Sequence, residues 1–336
     1  MWAYDIDAAT EDRSLFAFYP NAARALRIEA EVRACFADSI EASLAAVAEY
    51  GAPDGSDLVA RIRSGPVSPV VTGAYTELVE AIFADDVDSA ITIARDLCSP
   101  NFGSHAGLRI VTLSDADLGP GQAARYRRLI DDDSELQLQI RAFAPEAFPT
   151  VSGFVSDGAA LLEAAMPELA GEMRALVREI VLVDKPGNRH FGASSFQIWG
   201  ALFLKPYPHG NRAAIVEQLA HETSHALLFG LSKGKTLVRN EPDEVYPSPI
   251  RHDLRPMDGV VHATYVIARM HYAMSQLLQS GLLSPEEAKV ARATRDAHRA
   301  HYQNGLAVVE TNAKWTEVGE AAHSAARAYM AAADNA

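Results

Sequence analysis

The sequence predicts an α+β protein, predominantly helical, with a helical N-terminal portion followed by a mixed domain that holds a small sheet and a metal-bearing pair of helices. Three observations predict it. From Glu11 to about Cys98 the chain is rich in alanine, and its apolar residues recur at helical spacing, as in Ala30, Val32, Ala34, Cys35, Ile40, Leu44 and Val47. After Asn101-Phe-Gly103 the texture changes to short β-like runs. Further on, His221-Glu-Thr-Ser-His225 lies inside a segment with clear helix start and stop signals. At 336 residues the chain exceeds the usual reach of one hydrophobic core. Two portions are therefore expected, 1–104 and 105–336.

The breaks in the first portion are Gly51-Ala-Pro53 and Gly65-Pro66, where helices cannot continue. The second portion opens with two β-like runs, Leu108 to Leu113 and Leu136 to Phe143, separated by a helix over Gln122 to Ile130. A helix over residues 155–178 follows, then Glu179-Ile-Val-Leu-Val-Asp184, a turn at Lys185-Pro-Gly-Asn-Arg189, and a strand from Ser194 to Leu204 closed by Pro206 and Pro208. Asn211 can cap a helix from Arg212 to Phe229 that Gly230 ends. A proline-rich connection, Asn240 to Pro249, leads through Arg251-His-Asp-Leu-Arg-Pro256 to a helix over Asp258 to about Leu278. The remainder reads as helix, with breaks at Gly281 and Ser284-Pro285 and a capped start at Thr316.

Composition narrows the function classes. Thirty basic against 44 acidic residues give a net charge of −14, and no Lys/Arg run offers a phosphate-binding stripe, so nucleic acid is not the expected partner. Only Cys35 and Cys98 are present, too few for a disulfide scaffold, a zinc knuckle or an iron–sulfur cluster. Met1 to Thr10 carries Asp5 and Asp7 and no basic, then apolar, leader, and no window reaches membrane-spanning length. A cytoplasmic protein without a membrane partner is expected.

The strongest chemical signal is the spacing of His221 and His225. Four residues apart on one helix, their imidazoles project from the same face and can take adjacent positions on one metal ion. A third ligand is needed. Leu228 and Leu231 stand where a metzincin would continue with Gly and His, so that route is closed. Glu241 and Glu244 lie in the proline-rich connection, while the next helix offers His262 in an apolar surround. His262 is the preferred third ligand, with the glutamates as alternatives. Three imidazoles accept Zn(II) or Fe(II), so ligand type does not decide the metal. Arg251 and Arg255 shortly precede His262, and Arg269 shares its helical face at i+7. Several arginines near a metal point to an anionic ligand beside it, although pairing with Asp243, Asp253 or Asp258 is the ordinary role for each.

Taken together, His221-Glu-Thr-Ser-His-Ala226, Tyr246-Pro-Ser-Pro-Ile-Arg251, Arg255-Pro-Met-Asp-Gly-Val-Val-His262 and, more weakly, Trp315-Thr-Glu-Val-Gly319 resemble the HExxH-type 2-oxoglutarate-dependent peptide β-hydroxylases of ribosomal peptide natural product pathways. The resemblance spans roughly residues 105 to 336. It implies Fe(II) on His221, His225 and His262, with 2-oxoglutarate chelating the metal and Arg255 or Arg251 holding its distal carboxylate. Tyr246 and Arg269 are further candidate contacts to that co-substrate. The implied reaction is hydroxylation of an sp3 carbon, in particular the β-carbon of a residue in a peptide substrate, with O2 as oxidant. Three protein ligands leave three positions, two for a chelating 2-oxo acid and one for O2. The competing enzyme class is a zinc metallopeptidase of gluzincin-like layout, in which Glu222 would be the general base; a metal-stabilised binding module without turnover is a third reading.

Other polar groups have plainer readings. Asp85-Asp86 and Asp131-Asp-Asp133 read as helix caps on solvated faces, and His298 and His301 sit between Arg295 and Arg299, a setting unfavourable to a cation.

Overall fold

The computed structural model describes residues 13–105, 107–130, 139–187, 191–206 and 211–335. The first ten residues, the Asp131–Asp133 run, Leu136 to Leu138 and the Asn188-Arg189 part of the expected turn lie outside the described residues. The chain forms two compact units, each assembled from separated stretches. One takes residues 25–157 and 173–210, the other residues up to 24, 158–172 and 211 onward. The expected boundary near 104 marks a change of texture in the sequence, but residues on both sides of it share the first of these units.

That unit holds a sheet and most of the early helices: α1 (Ala22–Val47), α2 (Ser56–Ser64), α3 (Pro69–Phe83), α4 (Val87–Leu97), β1 (Arg109–Thr112), α5 (Asp115–Leu118), α6 (Gln122–Ile130) and α7 (Phe148–Ala165). It continues after α8 (Pro167–Leu176) with β2 (Glu179–Leu182), β3 (Phe191–Ser194) and β4 (Ala201–Lys205). Helices α1, α7 and α8 each give residues to both units. The strand order is β1-β2-β4-β3, with β1, β2 and β4 parallel and β3 antiparallel to β4. Parallel neighbours require long crossovers, which α5 to α8 supply between β1 and β2. Every residue of β2 is buried, as expected of a central parallel strand. Val181, Phe203, Val111, Tyr126 and Ile198 meet in its core.

One carboxylate organises this unit. Glu179, fully buried, accepts from Ser68 Oγ at 2.9 Å, Arg109 NH2 at 2.7 Å and Tyr126 Oη at 2.8 Å. A buried carboxylate is tolerated when such donors replace water, and here they come from the cap of α3, from β1 and from α6.

The expected single strand from Ser194 to Leu204 is instead β3 and β4 separated by a 3-10 turn over Phe196–Ile198. Gly200, at φ 93°, supplies the left-handed residue that lets the chain re-enter the sheet. The helix expected over 155–178 begins earlier and divides at Met166, because Pro167 starts α8. Of the run expected over 136–143, the described part is not a strand and contributes one isolated bridge, Arg141 to Asp184.

The other unit is built on α9 (Arg212–Ser232), α10 (Met257–Gln279), α11 (Pro285–Asn312) and α12 (Glu317–Asp334), with a hairpin of β5 (Val245–Pro247) and β6 (Leu254–Pro256). Asn211 caps α9 as expected, its Oδ1 accepting from Ala214 N at 3.0 Å. The end differs: Gly230 is inside the helix, and Lys233 at φ 50° makes the left-handed exit. Ser284 and Glu287 form a capping box on α11, and Thr316 caps α12. Helix α10 packs against α9, α11 and α12. Its approach to α11 is close enough that a Cβ on Gly305 would collide with Thr264 Oγ1. Among the described residues no helix is long and apolar enough to cross a membrane.

Candidate metal centre

Helices α9 and α10 run antiparallel, so that stepping back along one advances along the other. His225 faces His262, Ser224 meets Arg269, and His221 meets Met270. The Nδ1 atoms of His225 and His262 are 3.4 Å apart, with ring planes only 17° from parallel. Phe229, one turn beyond His225, lies against both rings, at centroid distances of 6.2 and 5.2 Å. This aromatic cover removes water. His262 is 7% exposed and His225 half-buried.

Loss of solvation penalises the charged form of an imidazole. Desolvation first, and the neighbouring His262 second, push the His225 pKa down to about 3. Desolvation pushes His262 down to about 4. Both are therefore neutral near pH 7, the form that binds a metal. Behind His262, Asp258 Oδ2 is 3.7 Å from Nε2, and Asp258 is itself held by Leu237 N, which donates to Oδ1 at 2.6 Å. At that distance the carboxylate faces the imidazole without a hydrogen bond to it.

The donor set fits a metal in part. Two nitrogens bound to one ion at about 2.0–2.1 Å in tetrahedral array lie roughly 3.3–3.4 Å apart, which is the separation of the His225 and His262 Nδ1 atoms. His221 belongs to the same cluster, its ring centroid 5.0 Å from that of His225, but its Nδ1 points to Met270 Sδ at 3.2 Å. Among the described residues no three His, Cys, Asp or Glu side chains converge on one point as a bound ion requires. The expected triad is thus present as a facing pair with its third member alongside. Glu222 is buried at 2% exposure, with Oε1 3.6 Å from His221 Nε2.

The chain matches no protein-family model and no curated protein.

The hairpin carries the other expected site residues. Tyr246 pairs with Arg255 across β5 and β6, so their side chains share one face of the hairpin. Tyr246 Oη donates to Glu244 Oε2 at 3.0 Å. Arg251 and Arg255 both reach Asp253, Arg251 Nε at 3.0 Å and Arg255 NH1 at 3.3 Å. The hydrogen bond from Arg251, ahead of the charge of the two arginines, holds the Asp253 carboxyl below its ordinary range. Glu241 and Glu244, the alternative ligands, stand on the same connection, where Glu244 is engaged with Tyr246, Asn240 and Lys314. The opposite face of the hairpin is apolar and open to solvent: Val245, Pro247, Leu254 and Pro256, with Ile250 at the tip.

Arg269 has another use than the expected one. It is 1% exposed and its guanidinium is spent inside the protein: NH2 pairs with Glu172, NH1 donates to Phe18 O at 2.7 Å, and Nε donates to Ser224 Oγ at 3.4 Å. Arg24 takes the other oxygen of Glu172 and donates to the carbonyls of Ala17 and Tyr19. Arg269 is thus a structural ion-pair residue, not the expected co-substrate contact. His298, outside the site, lies 2.7 Å from Glu217, and Asp86 caps α4 through Ser89 N. Sequence reasoning passed over three residues of the cluster. Asp258 is legible as i−4 to His262; Phe229 and Met270 become so only once the α9–α10 register is known.

Proposed function

We propose that this chain is an Fe(II)- and 2-oxoglutarate-dependent hydroxylase acting on an sp3 carbon, in particular the β-carbon of a residue in a peptide. The observation that carries it is the pair of neutral imidazoles, His225 and His262, facing one another at 3.4 Å with a carboxylate behind one of them. In this reading His221, His225 and His262 hold the metal. When bound, the metal supplies the redox chemistry that couples decarboxylation of the 2-oxo acid to C–H hydroxylation by O2. Phe229 keeps water from the imidazoles, and Asp258 stands behind the ring of His262 within reach of a small shift. Arg255 or Arg251 binds the distal carboxylate of 2-oxoglutarate, displacing Asp253 as the guanidinium's partner, and Tyr246 lines the same face. The motif-level likeness described above supports the same assignment.

A zinc metallopeptidase is the second reading, favoured by the burial of Glu222 beside His221. The two ask different things of that carboxylate. A peptidase needs it to move a proton from bound water to the leaving amine, so Glu222→Gln should cost several orders of magnitude in peptide cleavage. In a hydroxylase Glu222 only supports a ligand, and losses of roughly 10- to 100-fold are expected. Iron-loaded protein is expected to form succinate in an O2- and 2-oxoglutarate-dependent way, Glu222→Gln to retain part of that turnover, and neither to cleave peptides. Zinc-dependent cleavage abolished by Glu222→Gln would sink the hydroxylase reading.

A further inference from the structure

Two buried carboxylates of the sheet-bearing unit are served unequally. Glu179 has its three donors at 2.7, 2.8 and 2.9 Å. Glu29 on α1 is 7% exposed, yet among the described residues it accepts only from Arg33 Nε, at 3.2 Å to one oxygen and 3.4 Å to the other. Arg178 NH2 stands 4.0 Å away, too far for a hydrogen bond. A carboxylate has about four lone-pair sites, so most of this one's accepting capacity is unspent. It lines a cavity. Phe36, Ile40, Ile62, Val71, Leu176 and Trp199, all buried, make the apolar wall around a space of about 380 Å3, its open mouth included. The hydroxyl of Thr72, which also lines it, is occupied in donating to Pro69 O at 3.0 Å.

Two guanidiniums complete the lining, and both also serve helix ends. Arg33 NH1 donates to Ile62 O at 2.8 Å and to Arg63 O at 2.6 Å, in the last turn of α2, while its NH2 makes no hydrogen bond among the described residues. Arg178 closes the end of α8 by donating to the carbonyls of Arg174, Ala175 and Val177. A helix C-terminus carries about half an elementary negative charge, so these two ends and Glu29 together offset the two arginines. The cavity is close to neutral overall. A cation entering it meets two guanidiniums, and an anion meets Glu29; an uncharged guest is opposed by neither.

We propose that this cavity binds an apolar residue of a peptide, its aliphatic side chain against the buried wall and its amide group bridging Arg33 and Glu29. An amide offers one acceptor and one donor, which matches the spare NH2 of Arg33 and the spare oxygens of Glu29 lying side by side. The side chain gains by leaving water, and the buried carboxylate gains the donor it lacks. That such a peptide is a substrate rests on the hydroxylase reading; the site itself does not.

The test uses three leucine derivatives of nearly equal size at about pH 6.5, where an α-amine is protonated and a carboxyl ionised. These are N-acetyl-leucinamide, neutral; N-acetyl-leucine, an anion; and leucinamide, a cation. In ligand-observed NMR titrations of the full chain the neutral compound should bind at least roughly tenfold more tightly than either charged one, because an uncompensated charge is costly to bury. Val67→Trp, at a half-buried lining position, should abolish its binding. Glu29→Gln removes the negative charge, and the preference should move toward N-acetyl-leucine. Wild-type protein that binds none of the three, or all three alike, overturns the proposal, as does binding that survives Val67→Trp. Should Glu29→Gln fail to fold, the ranking in the wild type still decides. Binding without 2-oxoglutarate turnover would remove the hydroxylase and keep this site; turnover without binding would do the reverse.

Discussion

Seven residues apart on α10, His262 and Arg269 are both withdrawn from water, and burial has opposite outcomes for them. Around His262 desolvation prevails, Asp258 at 3.7 Å notwithstanding, and the imidazole is driven neutral, to about 4. Burial also disfavours the charge of Arg269, but the Glu172 carboxylate more than compensates, and the guanidinium is held above its ordinary value. The difference lies in the partner. A buried base bonded to its counter-ion stays charged and becomes structural; one whose carboxylate neighbour stays beyond hydrogen-bonding reach gives up its proton and stays neutral. The same helix thus contributes to a permanent ion cluster and to a pair of uncharged imidazoles.

The sharpest way to break this comparison is to remove the counter-ion. Glu172 is shared by Arg24 and Arg269, both buried, so Glu172→Gln leaves two guanidiniums without a carboxylate. Loss of about 3–5 kcal/mol is expected in denaturant unfolding, the range for breaking a buried pair from one side. Replacing Arg24, Glu172 and Arg269 together by Met should be far milder, since no orphaned charge remains. A single-variant loss below about 1 kcal/mol, as for surface pairs, would show that the cluster is solvated and the contrast with His262 illusory.

A smaller effect is expected from pH. In metal-free protein the unfolded histidines titrate near 6.5, whereas folded His262 and His225 do so at about 4 and about 3. As pH falls from about 6.5, the unfolded chain takes up protons first, so stability declines progressively down to the folded values. Above about 6.5 the contribution is fully present. His262→Phe should flatten the decline, measured as unfolding midpoint against pH; an unchanged slope would mean that His262 is already accessible to protons.

The smallest effect concerns exposed arginines. Arg251 and Arg255 share Asp253 on the hairpin, and changing either should alter stability by less than about 0.5 kcal/mol. Their weight is expected in binding instead: Arg255→Lys, which loses the planar fork, should raise the 2-oxoglutarate requirement far more than it changes iron binding. Unchanged dependence in both the Arg251 and Arg255 variants would take the arginines out of the site.

What was legible in the sequence follows the range of the interactions involved. The caps at Asn211 and Thr316, the break at Ser284-Pro285 and the His221/His225 spacing are local and were readable. The break of the expected 194–204 strand turns on Gly200 and the tight turn before it, which an apolar run conceals. The role of Arg269 was hidden because Glu172 lies 97 positions away along the chain and Phe18 lies 251 away. Its i+7 spacing from His262 correctly placed it on the face that meets α9, but could not say that Ser224, rather than a bound anion, would be found there.

The β5–β6 hairpin bears on the protein's behaviour at high concentration. Leu254 is 57% exposed, Val245 48% and Ile250 42%, an open apolar strip on a two-stranded ribbon that no third strand joins among the described residues. Such ribbons tend to recruit one another edge to edge and nucleate aggregates. Here each strand contains a proline, Pro247 in one and Pro256 in the other, and a proline has no N–H to extend a ladder into a neighbouring chain. The two prolines act as gatekeepers. Edge-to-edge pairing of this apolar hairpin with a second chain is thereby disfavoured.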